Sequence, residues 1–467
     1  MTPSLLQACA AFQEMYANTL RERPEDVLGL DDLDEAIHEA RAHLGRAALH
    51  VTLTQAKELA SAISRVCECG GHLTIKGRPD IEVHSMQGHA EVEGFALRCD
   101  RCHRAARPLH EKLHVAGVHH TTLLFERLSA DFFLDKGSPQ AARRLHEHHG
   151  LEVGRTTVLK HAEAQAAEAR KFLDEKCLNA IEVEQQRQTQ PARIEEVFTQ
   201  MDSSSGKAVQ PLQRPREDDL DEPIERTPVR GLVKTTRPIE GRQVKLLCAQ
   251  GRGEAAWSYY AYVGEFEDAI CPLQGLAATR GWRAGIPAVM TADGDDSIRE
   301  VAQRAFRPKL HMVLDRPHAI EHIGHVTENA AAYLDAPVAV WAEGAKNLLH
   351  TGRVYDLVAM VKDIAARMPE GSKERTKVEN AATYFSKRAD ATHYDAFIKR
   401  GWPIASGTVE GGHASIIHPL SKRGSGWLVD NLNGTVGLAC VRQNDWWQEF
   451  WSWEKTRRAS KKYAAAA

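Results

Sequence analysis

The sequence predicts a multidomain α+β protein, and three observations carry that expectation. At 467 residues the chain exceeds one ordinary domain, and about two to four are expected. Between residues 191 and 330, strand-like apolar runs give way to alternating strand and helix patterns, the order that builds an α/β core. Upstream, a cysteine-bearing hairpin pattern interrupts sequence that otherwise has helical spacing.

Residues 1–65 read as helical, with apolar positions at helical spacing in DLDEAIHEARAHL (32–44) and TQAKELASAISRV (54–66). Residues 66–110 change character. CECGGHL opens the segment, IEVHSM and AEVEGFALR alternate around a QGH turn, and CDRC closes it, so a hairpin is expected between two cysteine knuckles. Residues 111–190 return to helices. A core then begins at 191, with strands 194–202, 242–249 and 256–263, helix 265–280, strand 286–293, helix 297–306, strand 309–315 and helix 317–330. Three strands, a helix, then strand–helix units is the order of an RNase H-like core. The segment from Ser203 to Glu240 contains REDDLDEP and is expected to be a mobile surface loop. Residues 331–400 read as an all-helical insertion, 401–455 as the return to the core, and 456–467 as a basic, disordered tail.

Composition restricts the function classes. The hydrophobic fraction of 43% supports real cores, and the absence of an 18-residue apolar run argues against a membrane span. MTPSLLQACAAFQEMY lacks the basic and apolar regions of a secretory signal. Nine cysteines then point to a reducing, cytoplasmic setting rather than a disulfide framework. A net charge of −3 gives no global nucleic-acid footprint, so any DNA contact must come from local basic patches.

Three acids stand out. EEVFTQMD (195–202) and IPAVMTAD (286–293) each end an apolar run on an aspartate, Asp202 and Asp293. GWPIASGTVEGG (401–412) places Glu410 where a loop gives way to a helix. Oxygen ligands converging from separate elements suit hard divalent cations and phosphoryl transfer on nucleic acid. The second acid is contested, because Asp315 also closes a strand. The second ligand of an RNase H-like core ends the fourth strand, which is Asp293. Asp315, before Arg316-Pro317, reads as a helix cap. Asp295 and Asp296 read as solvated acids by a helix start, where Ser297 and Glu300 form a capping box or Asp296 caps. Two glycines after Glu410 suggest close approach of another backbone.

Other constellations carry their own chemistry. Cys67, Cys69, Cys99 and Cys102 supply four thiolates, the set a structural Zn²⁺ prefers, with His72 as a substitute ligand. Cys99-Asp-Arg-Cys102-His103 also spells a haem attachment motif, which has no export signal to accompany it. SPQAARRLHEHHGLEVGRTTVLKHAEA (138–164) has helix–turn–helix character. Ser138 caps, Pro139 suits the first turn, Ala141 and Leu145 share a face and Gly150 ends the helix. A second helix starts at Thr156 or Thr157, and Arg143, Arg144, Arg155 and Lys160 offer charge to phosphates. Lys422 and Arg423 do the same near the C-terminal motif. His318, Glu321 and His322 fit the H-x-x-E-H pattern of inverted zinc proteases, a competing reading from another enzyme class.

GWPIASGTVEGGHASIIHPLSKRGSGW (401–427) and CVRQNDWWQEFW (440–451) resemble the C-terminal signature of bacterial insertion-sequence DDE transposases of the ISKra type, with a Mutator-like RNase H core. TADGDDSI (291–298), LDRPHAIEHI (314–323), EGRQVKLLC (240–248) and the cysteine region fit the same family, so the resemblance spans about residues 66–453. Two departures stand out: Asp202 is followed by Ser203 where the family has glycine, and C-x-C with Val66 replaces the first C-x-x-C. The resemblance implies an RNase H-like core whose Asp202, Asp293 and Glu410 bind Mg²⁺ or Mn²⁺, and a helical insertion. The function expected is metal-dependent cleavage and strand transfer at the ends of an insertion sequence. Expected partners are double-stranded DNA, as terminal inverted repeats and target, and further copies of the chain in a dimer or larger oligomer on DNA. Location would be cytoplasmic and nucleoid-associated. The alternative is a catalytically silent, transposase-derived DNA-binding protein.

Overall fold

The computed structural model describes residues 30–113, 119–209, 239–421 and 426–466, with short stretches at 227–229 and 232–234 and scattered positions before residue 22. Lys422 and Arg423, the two basic residues of the C-terminal motif, lie outside the described residues. The architecture is mixed α and β. The chain divides into two compact units, residues 1–165 with 451–467, and residues 166–450.

The first unit contains helix α1 (Leu30–Ser61). Strands β1 (Leu73–Gly77), β2 (Asp80–Ser85), β3 (Gly88–Glu93), β4 (Ala96–Cys99) and β5 (Ala105–Ala106) follow. The expected hairpin is β2–β3, pairing Asp80 with Glu93 through to Ser85 with Gly88. Around it β1 pairs antiparallel with β4, which carries the cysteine knuckles at the strand ends. Alternation decides which face of the hairpin is buried. Ile81, Val83, Ala90 and Val92 pack with Leu53, Ala56 and Ala60 of α1 and with Leu109, which leaves Glu82, His84 and His89 on the other face. A short strand, β6 (His119–Thr121), adds parallel to β2.

Helices α2 (Pro108–Leu113), α3 (Leu123–Lys136), α4 (Ser138–His149) and α5 (Arg155–Gln186) complete the series. Ala141 and Leu145 are buried on one face of α4, and Gly150 ends it in the left-handed conformation. The cap differs from expectation: Gly137, not Ser138, occupies that position, with no side-chain hydrogen bond. The next helix begins at Arg155 rather than Thr156 or Thr157 and runs for 32 residues. Of the tail 456–467 expected to be disordered, residues 456–466 are instead helical, within the helix Trp447–Ala466, and residue 467 lies outside the described residues. Arg457 and Arg458 donate to the buried Glu454 at 2.8 and 2.7 Å, and Arg458 also reaches the buried Glu126. Those ion pairs hold the basic segment in a helix.

The second unit holds a five-stranded sheet. Its strands are β7 (Val197–Val209), β10 (Ile239–Gly251), β11 (Ser258–Val263), β12 (Ala288–Ala292) and β13 (Leu310–Leu314), in the order β11-β10-β7-β12-β13. A separate two-stranded ribbon, β8 (Thr227–Val229) and β9 (Leu232–Lys234), lies between β7 and β10 in sequence. The first three strands of the sheet are antiparallel, and β12 and β13 join β7 in parallel. Val197–Met201 and all of β12 are buried on both faces, as the parallel half of a covered sheet requires. The polar run Ser203–Gly206 was expected to open a mobile surface loop, yet β7 continues through it to Val209. Thirteen residue pairs with β10 supply the backbone partners that override its turn propensity.

Helices α6 (Ile270–Thr279), α7 (Asp296–Phe306) and α8 (Arg316–Ala330) follow their strands. Asp295 caps α7 by accepting from the Ser297 amide at 2.7 Å, the role expected of Ser297 or Asp296. The expected helical insertion is present as α9 (Val338–His350), α10 (Val354–Arg367), α11 (Lys373–Lys387) and α12 (Tyr394–Lys399). Val289 and Val313 of the sheet share one buried cluster with Ile323, Trp341, Leu357, Phe385 and Tyr394. Truncating a buried aromatic such as Phe385 would cost about 3–5 kcal/mol, so the insertion shares the core of the sheet. After it come α13 (Gly407–Gly412), a π-helical turn (His413–Ile417), α14 (His418–Ser421) and α15 (Val429–Gln443).

Candidate active site and cysteine cluster

The register of the parallel strands places the aspartates. Thr291 pairs with Gln200; carried two residues on, that register sets Asp293 opposite Asp202. Ala292 pairs with Leu314, and one step on Asp293 faces Asp315. Three carboxylates thus form a row where β12 and β13 end and β7 continues, paired with β10. The ends of parallel strands are where open α/β sheets place their sites.

Their environments differ. Asp315 is fully buried and caps α8, accepting from the His318 amide at 3.0 Å and from its Nδ1 at 2.5 Å, and from the Ser406 amide at 2.6 Å. The expected capping role is therefore what its contacts show, with the Glu410-bearing segment held in addition. Asp202 and Asp293 are only half-buried. Burial pushes the Asp293 carboxyl up, and the nearby charge of Asp202 adds to that, against the opposing Asp295 amide. For Asp202, burial also raises the carboxyl, but His413 and the Ser203 amide outweigh it and hold it below the usual carboxylate range. His413 Nε2 lies 3.2 Å from Asp202 Oδ2.

Glu410 is exposed in the first turn of α13. Ser406 Oγ donates to its Oε1 at 3.2 Å. Its carboxylate clusters with Asp315 and His318, ligand atoms within 4.8 Å of one another, rather than in one such cluster with Asp202 and Asp293. The glycines after it have separate explanations. A Cβ on Gly412 would fall 2.8 Å from Leu246 and 2.9 Å from Tyr259, so packing on the chain's own sheet excludes a side chain there. Gly411 meets nothing within 4 Å.

Five residues that the sequence reading did not single out organise this site, His413 among them. Gln200, buried in β7, donates to Ala405 O at 3.0 Å and accepts from the Val409 amide at 3.0 Å, fixing the segment that carries Glu410. Tyr384 donates to Asp293 O at 2.7 Å, and Arg388 Nε donates to Gly294 O at 2.7 Å. Helix α11 therefore grips the backbone that bears Asp293. A Cβ on Gly294, at φ 96°, would strike Arg388, so glycine is required there. Lys245, beside the Asp202 pair in register, is buried with Nζ 3.4 Å from the Phe266 ring centre; burial lowers its ammonium, opposed by Glu265, Asp295 and Asp202. No sequence motif marks Gln200 or Tyr384, whereas His413 lies inside the GTVEGGH string and Lys245 inside EGRQVKLLC.

The H-x-x-E-H pattern does not converge on one point. His318 binds Asp315, while His322 stacks on Tyr384 with ring centres 3.6 Å apart. Burial, with His325 nearby, lowers the His322 imidazole.

In the other unit the four sulfurs of Cys67, Cys69, Cys99 and Cys102 lie within 4.8 Å of one another, a set that can hold a metal ion. Two sulfur pairs approach to 3.6 Å (Cys67 and Cys102) and 3.5 Å (Cys69 and Cys99). His72 is not in the group. Val66, where the resembled family has its cysteine, is 63% exposed, and the C-x-C spacing suffices for convergence. The amides of Cys102 and Arg101 each donate to Cys99 Sγ at 3.4 Å and bring that thiol down to about 7. Gly71 admits no Cβ, which would lie 2.7 Å from Cys99 Sγ.

Among the basic residues expected to meet DNA, Arg144 is engaged internally, donating to Asp135 at 2.7 Å and lying 4.2 Å over the Phe132 ring. Arg143, Arg155 and Lys160 are exposed. No described helix is long and apolar enough to cross a membrane. Compared with models of known protein families and with curated proteins, the chain matches none.

Proposed function

We propose that the second unit is an RNase H-like core that cuts and joins DNA strands with divalent metal, in the manner of a DDE transposase. One observation carries the reading. Asp202 within β7 and Asp293 just past the end of the neighbouring parallel strand β12 are near enough to share charge, with the Glu410 helix fastened to β7 through Gln200. Sheet order supports it, because three antiparallel strands extended by two parallel ones is the arrangement of such cores.

The donor set fits a hard cation. Burial is the main cause of the upward shift of Asp293, and the charge of Asp202 adds to it; a divalent ion would relieve that repulsion. Asp202 and Asp293 would hold Mg²⁺ or Mn²⁺, and Glu410, beside Asp315 and His318, would supply the third carboxylate. When bound, the metal supplies Lewis-acid activation of a hydroxyl and stabilisation of the leaving oxygen. The protein's own residues do the rest. His413 holds Asp202 ionised, Tyr384 and Arg388 fix the Asp293 loop, and Asp315 with Ser406 orients Glu410. The first unit would hold structural Zn²⁺ on its four cysteines as a ribbon and, with Arg143, Arg155 and Lys160, contact DNA phosphates.

The test is a strand-nicking and joining assay on labelled duplexes bearing candidate element ends, with Mg²⁺ or Mn²⁺. Wild-type product that disappears in Glu410→Gln with DNA affinity retained is expected. Duplex binding without metal-dependent cleavage by wild type would favour the silent DNA-binding alternative.

A further inference from the structure

The face of the β2–β3 hairpin turned away from α1, where His84 also lies 6.2 Å from the Phe125 ring, carries a group of ligands that neither the cysteine cluster nor the carboxylate row explains. His84 and His89 are a directly opposed cross-strand pair, and Glu82 precedes His84 by two residues on the same face. Cross-strand partners and i, i+2 neighbours are the positions a strand pair brings closest on one face. Their functional atoms converge: His84 Nε2 lies 3.1 Å and His89 Nε2 3.0 Å from the same oxygen, Glu82 Oε1. The two rings have centres 4.8 Å apart at 34°, and the three ligand atoms form one compact group.

We propose that Glu82, His84 and His89 form a second metal site, for a divalent transition-metal ion of the zinc, cobalt or nickel type. Two imidazoles and a carboxylate match that class, since imidazole disfavours the magnesium and calcium group. The spacing agrees. Ligands about 2.1 Å from one ion lie about 3.0 Å apart at right angles and about 3.4 Å apart in a tetrahedron. Distances of 3.0 and 3.1 Å therefore suit an ion with adjacent right-angle ligands and further open positions. The opposite hairpin face is anchored in the buried cluster with α1, so the ligands project from a fixed platform. His89 is 41% exposed and Glu82 27%, which gives an ion a route in from solvent. Thr121, in register with His84, bonds Glu126 and His161, and it holds the neighbouring strand in place. An ion here would tie both strands of the hairpin together. It is independent of the reading given to the carboxylates.

Full-length protein stripped of metal and then titrated with Zn²⁺, in excess Mg²⁺ to fill hard-oxygen positions, gives a count of tightly bound ions. The count should fall by one in His84→Gln/His89→Gln, and Glu82→Gln should weaken that ion tenfold or more. With Co²⁺ as the probe, the ion lost should carry no thiolate charge-transfer absorption, which marks it as separate from the cysteine cluster. Should the double variant fail to fold, His89→Gln alone carries the test, since it lies at the exposed end of the hairpin. Unchanged Zn²⁺ affinity in folded His89→Gln, or loss of a thiolate-bound ion instead, would overturn the proposal and leave a hydrogen-bonded His–Glu–His cluster.

Discussion

Gln200→Leu isolates the fastening of the Glu410 segment. The side chain is 1% exposed, and leucine fills a similar volume without polar atoms. Removing the amide takes its donor from Ala405 O, but Ala405 is exposed and water can replace it, so the cost is the net value of one hydrogen bond, about 0.5–1.5 kcal/mol. The Val409 amide keeps its second acceptor, Ser406 O at 3.0 Å, so losing Gln200 Oε1 costs nearer the net value of one hydrogen bond, about 0.5–1.5 kcal/mol. Together these give a loss of about 1–3 kcal/mol, measured as the unfolding free energy in urea followed by far-UV circular dichroism. Mn²⁺ affinity, read by calorimetry, should fall as well, because Glu410 loses its anchor. Gln250→Leu, which removes a 2.7 Å hydrogen bond to Glu254 O toward the other end of the sheet, serves as the control and should leave Mn²⁺ binding intact. A Gln200→Leu protein with wild-type stability and wild-type Mn²⁺ affinity would refute the reasoning.

Asp202→Asn and Asp293→Asn should each reduce strand cleavage by orders of magnitude with little change in folding, whereas Asp315→Asn should cost about 1.5–3 kcal/mol of stability through lost charged hydrogen bonds; cleavage that survives Asp293→Asn would displace Asp293 from the triad. Asp315 holds the His318 imidazole above its ordinary range despite burial, so the stability His318 contributes should be complete below pH about 6.5 and disappear as pH rises through the raised value. A pH-independent difference in unfolding free energy between wild type and His318→Gln would contradict this. Cys99→Ser with Cys102→Ser should release about one zinc per chain and loosen the first unit, and metal analysis that finds no zinc in wild type would exclude the ribbon.

The sequence made most of the elements legible because their signals are local. The apolar run into Asp202, the strand–helix alternation after 286 and the helical spacing of 331–400 each reflect burial along a single segment. Misreadings arose where a distant partner decides. Ser203–Gly206 has the composition of a turn, and only the long partner strand β10 makes it strand. The last helix was legible in principle, since Glu454 with Arg457 and Arg458 has i, i+3 and i, i+4 spacing; basic composition outweighed it. Asp315 was readable as a cap from the proline two residues on. Gln200 was not, because a glutamine in a strand acquires its role only from Ala405 and Val409, which the chain brings to it from far away. The Glu82–His84–His89 group was within reach of the hairpin register, yet its three members are uninformative until the strands are paired.

The hydrogen bond from the Val409 amide to Gln200 Oε1 joins residues 209 apart in sequence. Such a long closure forms late, because its entropic cost must be met by contacts that already exist. During synthesis β7 emerges with Asp202 well before the Glu410 segment leaves the ribosome. The nascent chain therefore carries no assembled carboxylate site through that interval. A polypeptide released before residue 405 would expose Gln200 without the backbone it binds.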